Sequence, residues 1–237
     1  MTFFSVLLAL GSVLGLIWIL YEAPPWDRQS RLNAGITVLF CTLVGGRSAY
    51  IAVNWAYFQD HLIEIPQVWM GGLAWPGALA GGILGIWIAA WITKIPFGLL
   101  ADRLIPLLVS LSVTLWLGCW LTGCAYGPVV FLGLPTKDEW GIWKRRLPLQ
   151  LMGAIMTVTL FWGIERFQRR KKKLPPGLAA SLGLGGLSII LLSASLLRVD
   201  PYPHYNGLRL ETWAALIFLG VAAIYSGFVF LTDRRQR

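Results

Sequence analysis

Seven stretches of this chain, near residues 2–21, 34–58, 70–92, 98–121, 149–164, 178–197 and 212–231, are apolar over about the 20 residues that a helix needs to cross a bilayer. In hydrocarbon no water is available to satisfy backbone N–H and C=O groups, so segments of this kind fold as helices. The expected fold class is an all-α integral membrane protein with seven transmembrane helices, residues 1–237 forming one polytopic domain. Composition agrees, with 57% hydrophobic residues, 13% charged residues and 13 Trp in 237, unlike a soluble domain. The fifth stretch is the shortest, and its helix is expected to continue through the amphipathic residues Glu165 to Arg169. The first has no Lys or Arg on its N-terminal side and no small-residue cleavage pattern before Glu22, so it reads as a retained helix rather than a signal peptide.

Orientation follows from the basic residues of the connections. With the N-terminus outside, the inner segments hold thirteen Lys and Arg: Arg28, Arg31, Lys94, Arg103, six from Arg166 to Lys173, and Arg234, Arg235 and Arg237. The outer loops then hold six, Lys137, Lys144, Arg145, Arg146, Arg198 and Arg209. The C-terminus is accordingly expected in the cytoplasm. The net charge of +9 lies in juxtamembrane loops, where anionic lipid head groups are nearer partners than nucleic acid. Two outer elements are expected, an amphipathic stretch at 59–69 and a polar loop at 127–148. Trp69, Trp75, Trp140 and Trp143 flank spans in the manner of interfacial aromatics.

Three cysteines, Cys41, Cys119 and Cys124, form neither a disulfide framework nor a zinc pattern. On a regular helix the last two lie about 8.6 Å apart at Cα, beyond the roughly 7 Å limit for a disulfide. They are therefore expected unpaired unless Gly118 and Gly123 distort the helix. As small apolar side chains they suit a helix interface; as thiols they offer a nucleophile or part of a metal site. No metal site and no cofactor is expected.

Arg47 interrupts the second span within GGRSAYIAVNWAYF, residues 45–58. An arginine near the middle of a membrane segment costs roughly 2.5–3.5 kcal/mol on insertion scales, so it faces a cavity, a partner or an anion. Tyr50 and Asn54 follow three and seven residues later, on the same helical face. The planar donor fork of Arg47 with the neutral donors of Tyr50 and Asn54 suits a phospholipid phosphate. The alternative is that Arg47 satisfies helix-end carbonyls or pairs with Glu64 or Asp102. Asp102 itself reads as a helix-end cap, and His61 and His204 as loop residues at the surface. In GGLAWPGALAGGILG, residues 71–85, small residues at three- and four-residue spacing permit close helix packing, while Pro76 is expected to break the helix.

The ordered set GGRSAY, GGLAWPG, the Asp102 and Pro106 pair in ADRLIP, LGCWLTGCAYG and RLPLQL, collinear over roughly residues 35–165, resembles the prolipoprotein diacylglyceryl transferase family. The resemblance implies a seven-helix enzyme of the bacterial inner (plasma) membrane with an outward N-terminus. It implies transfer of the diacylglyceryl group of phosphatidylglycerol to the lipobox cysteine thiol of a preprolipoprotein, whose signal peptide is then a partner, with release of glycerol phosphate. Position by position, Gly45, Gly46, Arg47 and Tyr50 match. Where the family has the histidine implicated in activating the thiol, this chain has Pro76. Along the family's glycine-rich signature Gly118, Gly123 and Gly127 match with Trp120 as the aromatic. There Trp116 stands for an arginine, Cys119 and Thr122 for asparagines, and Cys124 for a glutamate. From the next motif Pro148, Gln150 and Leu151 remain. Leu191 and Ser195 fall where the sixth span of the family carries an arginine and a glutamate.

Thioether formation needs a near-thiolate, a base and electrostatic help for the departing phosphate, and of the retained set only Arg47 supplies charge within the bilayer, Asp102 standing at the inner end of the fourth span. Two expectations follow. One is a diacylglyceryl transferase with a rearranged centre. The other is a catalytically inactive family member acting as a lipid-binding protein or an accessory subunit beside other membrane subunits. A polar cavity around Arg47, open sideways to lipid, favours phospholipid binding there; a centre occupied by Trp75, Trp116 and Trp120 favours the inactive member.

Overall fold

The computed structural model describes residues 3–21, 27–170 and 174–236, with side chains through Thr232. Lys171 to Lys173 of the basic run and Arg237 lie outside the described residues, as do the side chains of Arg234 and Arg235. The chain is a helical bundle: α1 (Phe3–Tyr21), α2 (Arg28–Val53), the single turn α3 (Trp55–Phe58), α4 (Trp75–Thr93), α5 (Phe97–Arg103), α6 (Ile105–Thr122), α7 (Leu149–Arg170), α8 (Leu178–Leu197) and α9 (Leu210–Gln236). Among the described residues six helices, α1, α2, α4, α6, α8 and α9, are long and apolar enough to cross a membrane. The expected span 149–164 lies within α7, whose apolar part ends at Ile164 before Glu165 and Arg166. Large apolar side chains cover the bundle surface, Trp91 being 78% and Ile224 76% exposed. Such a surface belongs in lipid, and the chain is a multi-pass membrane protein.

Local chemistry explains where several helices begin and end. Asp27 caps α2 by accepting from the Ser30 amide at 2.9 Å. The expected break at Pro76 is instead a helix start. Gly71 and Gly72 take φ of +93° and +76°, and residues 71–74 are not helical. Pro76 sits in the first turn of α4, where its missing N–H costs nothing. The stretch expected as one span at 98–121 is likewise two helices, interrupted at Leu104 with Pro106 in the first turn of α6. The span expected at 34–58 bends at Asn54, between α2 and α3.

The cysteine expectation is overturned. Cys119 and Cys124 are joined by a disulfide with Cα atoms 4.6 Å apart. Helix α6 stops at Thr122, and Gly123, at φ +81°, reverses the chain, a conformation open to glycine. The helical distance between the two residues therefore never applies.

At the same end of the bundle, the expected polar loop 127–148 is an antiparallel hairpin of β1 (Val129–Lys137) and β2 (Trp143–Arg146), in register Thr136 to Lys144. Asp138 closes its turn by accepting from the Trp140 and Ile142 amides and from Arg146. A shorter ribbon, β3 (His204–Tyr205) with β4 (Leu208–Arg209), precedes α9. The amphipathic stretch 59–69 forms two short 3-10 turns, Leu62–Glu64 and Val68–Met70.

At the opposite end, Asp102 of α5 caps α8. Its two carboxylate oxygens accept from the Gly177 and Ala180 amides, each at 2.7 Å. Asp102→Ala is expected to destabilise the protein by about 1–2 kcal/mol through lost capping. Asp102→Asn, which keeps one acceptor, is expected to cost less, as read by the midpoints of detergent-solubilised protein on thermal unfolding.

Candidate lipid site

The centre of the bundle holds a cavity of about 620 Å³, walled by α1, α2, α4, α5, α6, α8 and α9. Volumes of about 300–1,000 Å³ are usual for small-molecule sites. Among the described residues its lining carries no charged side chain; Ser12, Thr42, Ser112, Ser181 and Tyr225 supply its hydroxyl groups. The wall reaches Ile36 and Phe40 of α2, which are 50% and 66% exposed, so the cavity opens sideways onto the lipid-facing surface. Trp75 and Trp116 line it. Trp116, 3% exposed, packs its indole against Gly153 of α7, filling space where a polar group would need a partner. Such a chamber accepts hydrocarbon, at about 0.8 kcal/mol per buried methylene.

Arg47 is buried at 7% exposure and is spent on backbone. Its Nε donates to the Ile65 carbonyl at 2.8 Å, Nη1 to those of Gly71 and Gly72 at 2.8 and 3.1 Å, and Nη2 to that of Glu64 at 2.5 Å. The guanidinium carbon lies 5.8 Å from the Tyr50 ring centre and 5.1 Å from that of Phe58, within cation–π range. The side chain thereby ties α2 to the connection 59–74, the helix-end alternative that the sequence left open. Tyr50 joins this cluster through its ring. Asn54 turns back on its own helix, donating to the Tyr50 carbonyl at 2.9 Å. The Glu64 carboxylate accepts from the Tyr57 hydroxyl, and His61 stacks on Tyr57 at the surface. His204 is exposed.

A second charged group was not foreseen. Arg198 grips Asp200 with Nε at 2.9 Å and Nη2 at 2.5 Å, and reaches Glu211 at 2.7 Å. Arg209 meets the Asp200 carbonyl at 2.7 Å and its carboxylate at 3.3 Å. This four-charge ring ties the end of α8 to the start of α9. Burial lowers the Arg198 pKa, but the Asp200 and Glu211 carboxylates outweigh it and leave it raised. Burial, then Glu211, pushes the neighbouring Tyr202 phenol up to about 12. The repeated Arg-x-acid spacing at 198–200 and 209–211 was the available signal. Beside the ring, Arg146 pairs with Asp138 at 3.1 Å and lies over the Tyr126 ring. Of the sixth-span positions, Leu191 lines the cavity, and the Ser195 hydroxyl bonds that of Thr212.

A family model described as prolipoprotein diacylglyceryl transferase matches residues 1–228. The phosphatidylglycerol–prolipoprotein diacylglyceryl transferase of Streptomyces griseus subsp. griseus is 29% identical over 200 residues, covering 77% of this chain and 58% of the relative. The protein of the same name from Thermosynechococcus vestitus is 29% identical over 143 residues, 59% of this chain and 51% of its own length. That from Nocardia farcinica is 28% identical over 215 residues, 82% of this chain and 43% of its own. The chain thus spans about half the length of the curated relatives it matches.

Proposed function

Because the chain belongs to the prolipoprotein diacylglyceryl transferase family, we propose that it uses the family's membrane fold to hold the acyl chains of phosphatidylglycerol in the central cavity, without performing diacylglyceryl transfer. The observation that carries this reading is the uncharged cavity. A base and a group to stabilise the leaving phosphate are required for transfer, and neither lines it. Pro76 and Trp116 occupy positions where the family supplies a histidine and an arginine. Arg47, Tyr50 and Asn54 then serve the lipid indirectly: Arg47 and Tyr50 hold the connection that leads to Leu73 and Trp75 at the cavity wall, and Asn54 shapes the bend beneath it.

The same reading makes α7 a seventh span, its apolar part followed by the basic residues of a cytoplasmic end, and sets the N-terminus outside and the C-terminus inside a bacterial plasma membrane. The hairpin end then faces outward.

The test is paired. Protein isolated in mild detergent is expected to retain phosphatidylglycerol in native mass spectra, and Ser112→Trp, which projects an indole into the cavity, is expected to weaken retention at least tenfold, or about 1.4 kcal/mol. Incubation with phosphatidylglycerol and a lipobox peptide is expected to give no thioether product, and the chain is expected not to rescue cells depleted of their own diacylglyceryl transferase. The relatives' names favour a second reading, active transfer to a prolipoprotein. Thioether formation lost on Arg47→Ala, in protein that remains folded, would establish that reading in place of the first.

A further inference from the structure

We propose that the Cys119–Cys124 disulfide is a thiol–disulfide exchange site for a dithiol-bearing polypeptide at the hairpin end of the bundle. The inference rests on the proposed orientation, which places this end in the oxidising compartment where disulfides persist.

The bond is surplus to the turn that carries it. Its loop encloses four residues, Trp120 to Gly123, and the chain-entropy contribution of a disulfide is smallest for the shortest loops. The turn is independently held by hydrogen bonds: the Gly123 and Cys124 amides to the Cys119 carbonyl at 2.9 and 3.1 Å, the Thr122 hydroxyl to the Gly118 carbonyl at 2.8 Å, and Gln150 Nε2 to the Cys124 carbonyl at 2.8 Å. Opening the bond leaves these contacts in place. Both cysteines are half-buried rather than sealed.

The surroundings also suit the reduced state. Thr122 Oγ1 lies 3.5 Å from Cys124 Sγ and, its own proton going to the Gly118 carbonyl, can accept from a Cys124 S–H. Gln150 is fully buried, and its Oε1 has no hydrogen-bond partner among the described residues, although its other amide atom is fastened to this turn. Reduction creates S–H donors in the same turn as that unmatched acceptor.

In the exchange, a thiolate of the polypeptide attacks Cys119 Sγ. The new S–S bond forms as the Cys119–Cys124 bond breaks, and Cys124 leaves with the electron pair and takes a proton. A second thiol of the polypeptide attacks the mixed disulfide, releasing the polypeptide oxidised and Cys119 as a thiol. Two electrons and two protons have passed to the pair. A protein disulfide restores it by the reverse steps.

The experiment uses full-length protein in lipid nanodiscs, equilibrated in dithiothreitol redox buffers and read by mass after alkylation. The pair is expected to interconvert fully and reversibly, with helix content and phosphatidylglycerol retention unchanged. Cys124→Ser is expected to trap a mixed disulfide, formed as the Cys119 thiolate attacks a peptide whose two cysteines are joined in a disulfide and releases one of them as a thiol, at least tenfold above Cys119→Ser. A pair that changes state only after denaturation, or whose reduction unfolds the chain, overturns the proposal; preferential trapping by Cys119→Ser overturns the order of attack. Loss of phosphatidylglycerol retention in both redox states would count against the lipid-binding reading and leave the exchange result standing.

Discussion

Arg47→Ala is expected to lower the free energy of unfolding by about 4 kcal/mol, since hydrogen bonds from a charged donor contribute about 1.5–3 kcal/mol each and do not add fully. Four carbonyls, those of Glu64, Ile65, Gly71 and Gly72, lose their donor at once. The connection 59–74 has two short 3-10 turns and no strand or long helix to hold it. Its release is therefore the visible consequence: limited proteolysis should cut within residues 59–74 in the variant and not in the parent. Arg47→Lys is expected to recover less than half of the loss, because one ammonium cannot match a planar fork directed at carbonyls on both sides. If Arg47 were instead a phosphate ligand, the alanine variant would keep its thermal midpoint and its resistance to protease, and lose phosphatidylglycerol. The two outcomes separate a residue that builds the site from one that touches the lipid.

Gly81→Leu is expected to abolish accumulation of folded protein, and Gly81→Ala to cost roughly 2–3 kcal/mol, at the upper end of ordinary overpacking. Helices α2 and α4 meet backbone to backbone here. A Cβ on Gly81 would press on the Cys41 carbonyl and stand 3.1 Å from Gly45 Cα. Neither obstacle is a side chain that can rotate away. Small-residue contacts of this kind replace the hydrophobic drive that lipid removes from helix association. Gly220→Ala is the control, since nothing lies within 4 Å of a Cβ at that position; it is expected to be neutral or to stabilise α9 by up to about 1 kcal/mol. Cys41, half-buried beside this contact, reports the result directly. Its labelling by a maleimide should rise when α2 and α4 separate and stay unchanged in the control.

Much of this architecture was legible in the chain because bilayer physics acts on short windows of sequence. Twenty apolar residues in a row have one good solution in lipid, and the glycine spacing between Gly71 and Gly85 announces a close helix contact whatever the partner. Arg47 stood out for the same reason, as a charge that hydrocarbon cannot solvate. The boundaries were less legible. Pro76 reads as a breaker from sequence and acts as a starter, because the positive φ of Gly71 and Gly72 had already ended regular structure upstream. Hydropathy alone does not count such turns.

The partners of the polar groups depended on folding in three dimensions. Whether Arg47 meets a phosphate or a carbonyl turns on where a connection 17 to 25 residues away comes to rest. Cys119 and Cys124 bond because one residue, Gly123, ends α6 between them. Asp200 and Glu211 balance Arg198 and Arg209 only once α8 and α9 stand side by side. Composition and periodicity specify which surfaces avoid water, since transfer free energy is a property of each segment. Which donor meets which acceptor is a property of distances between segments, and those arise when the helices pack.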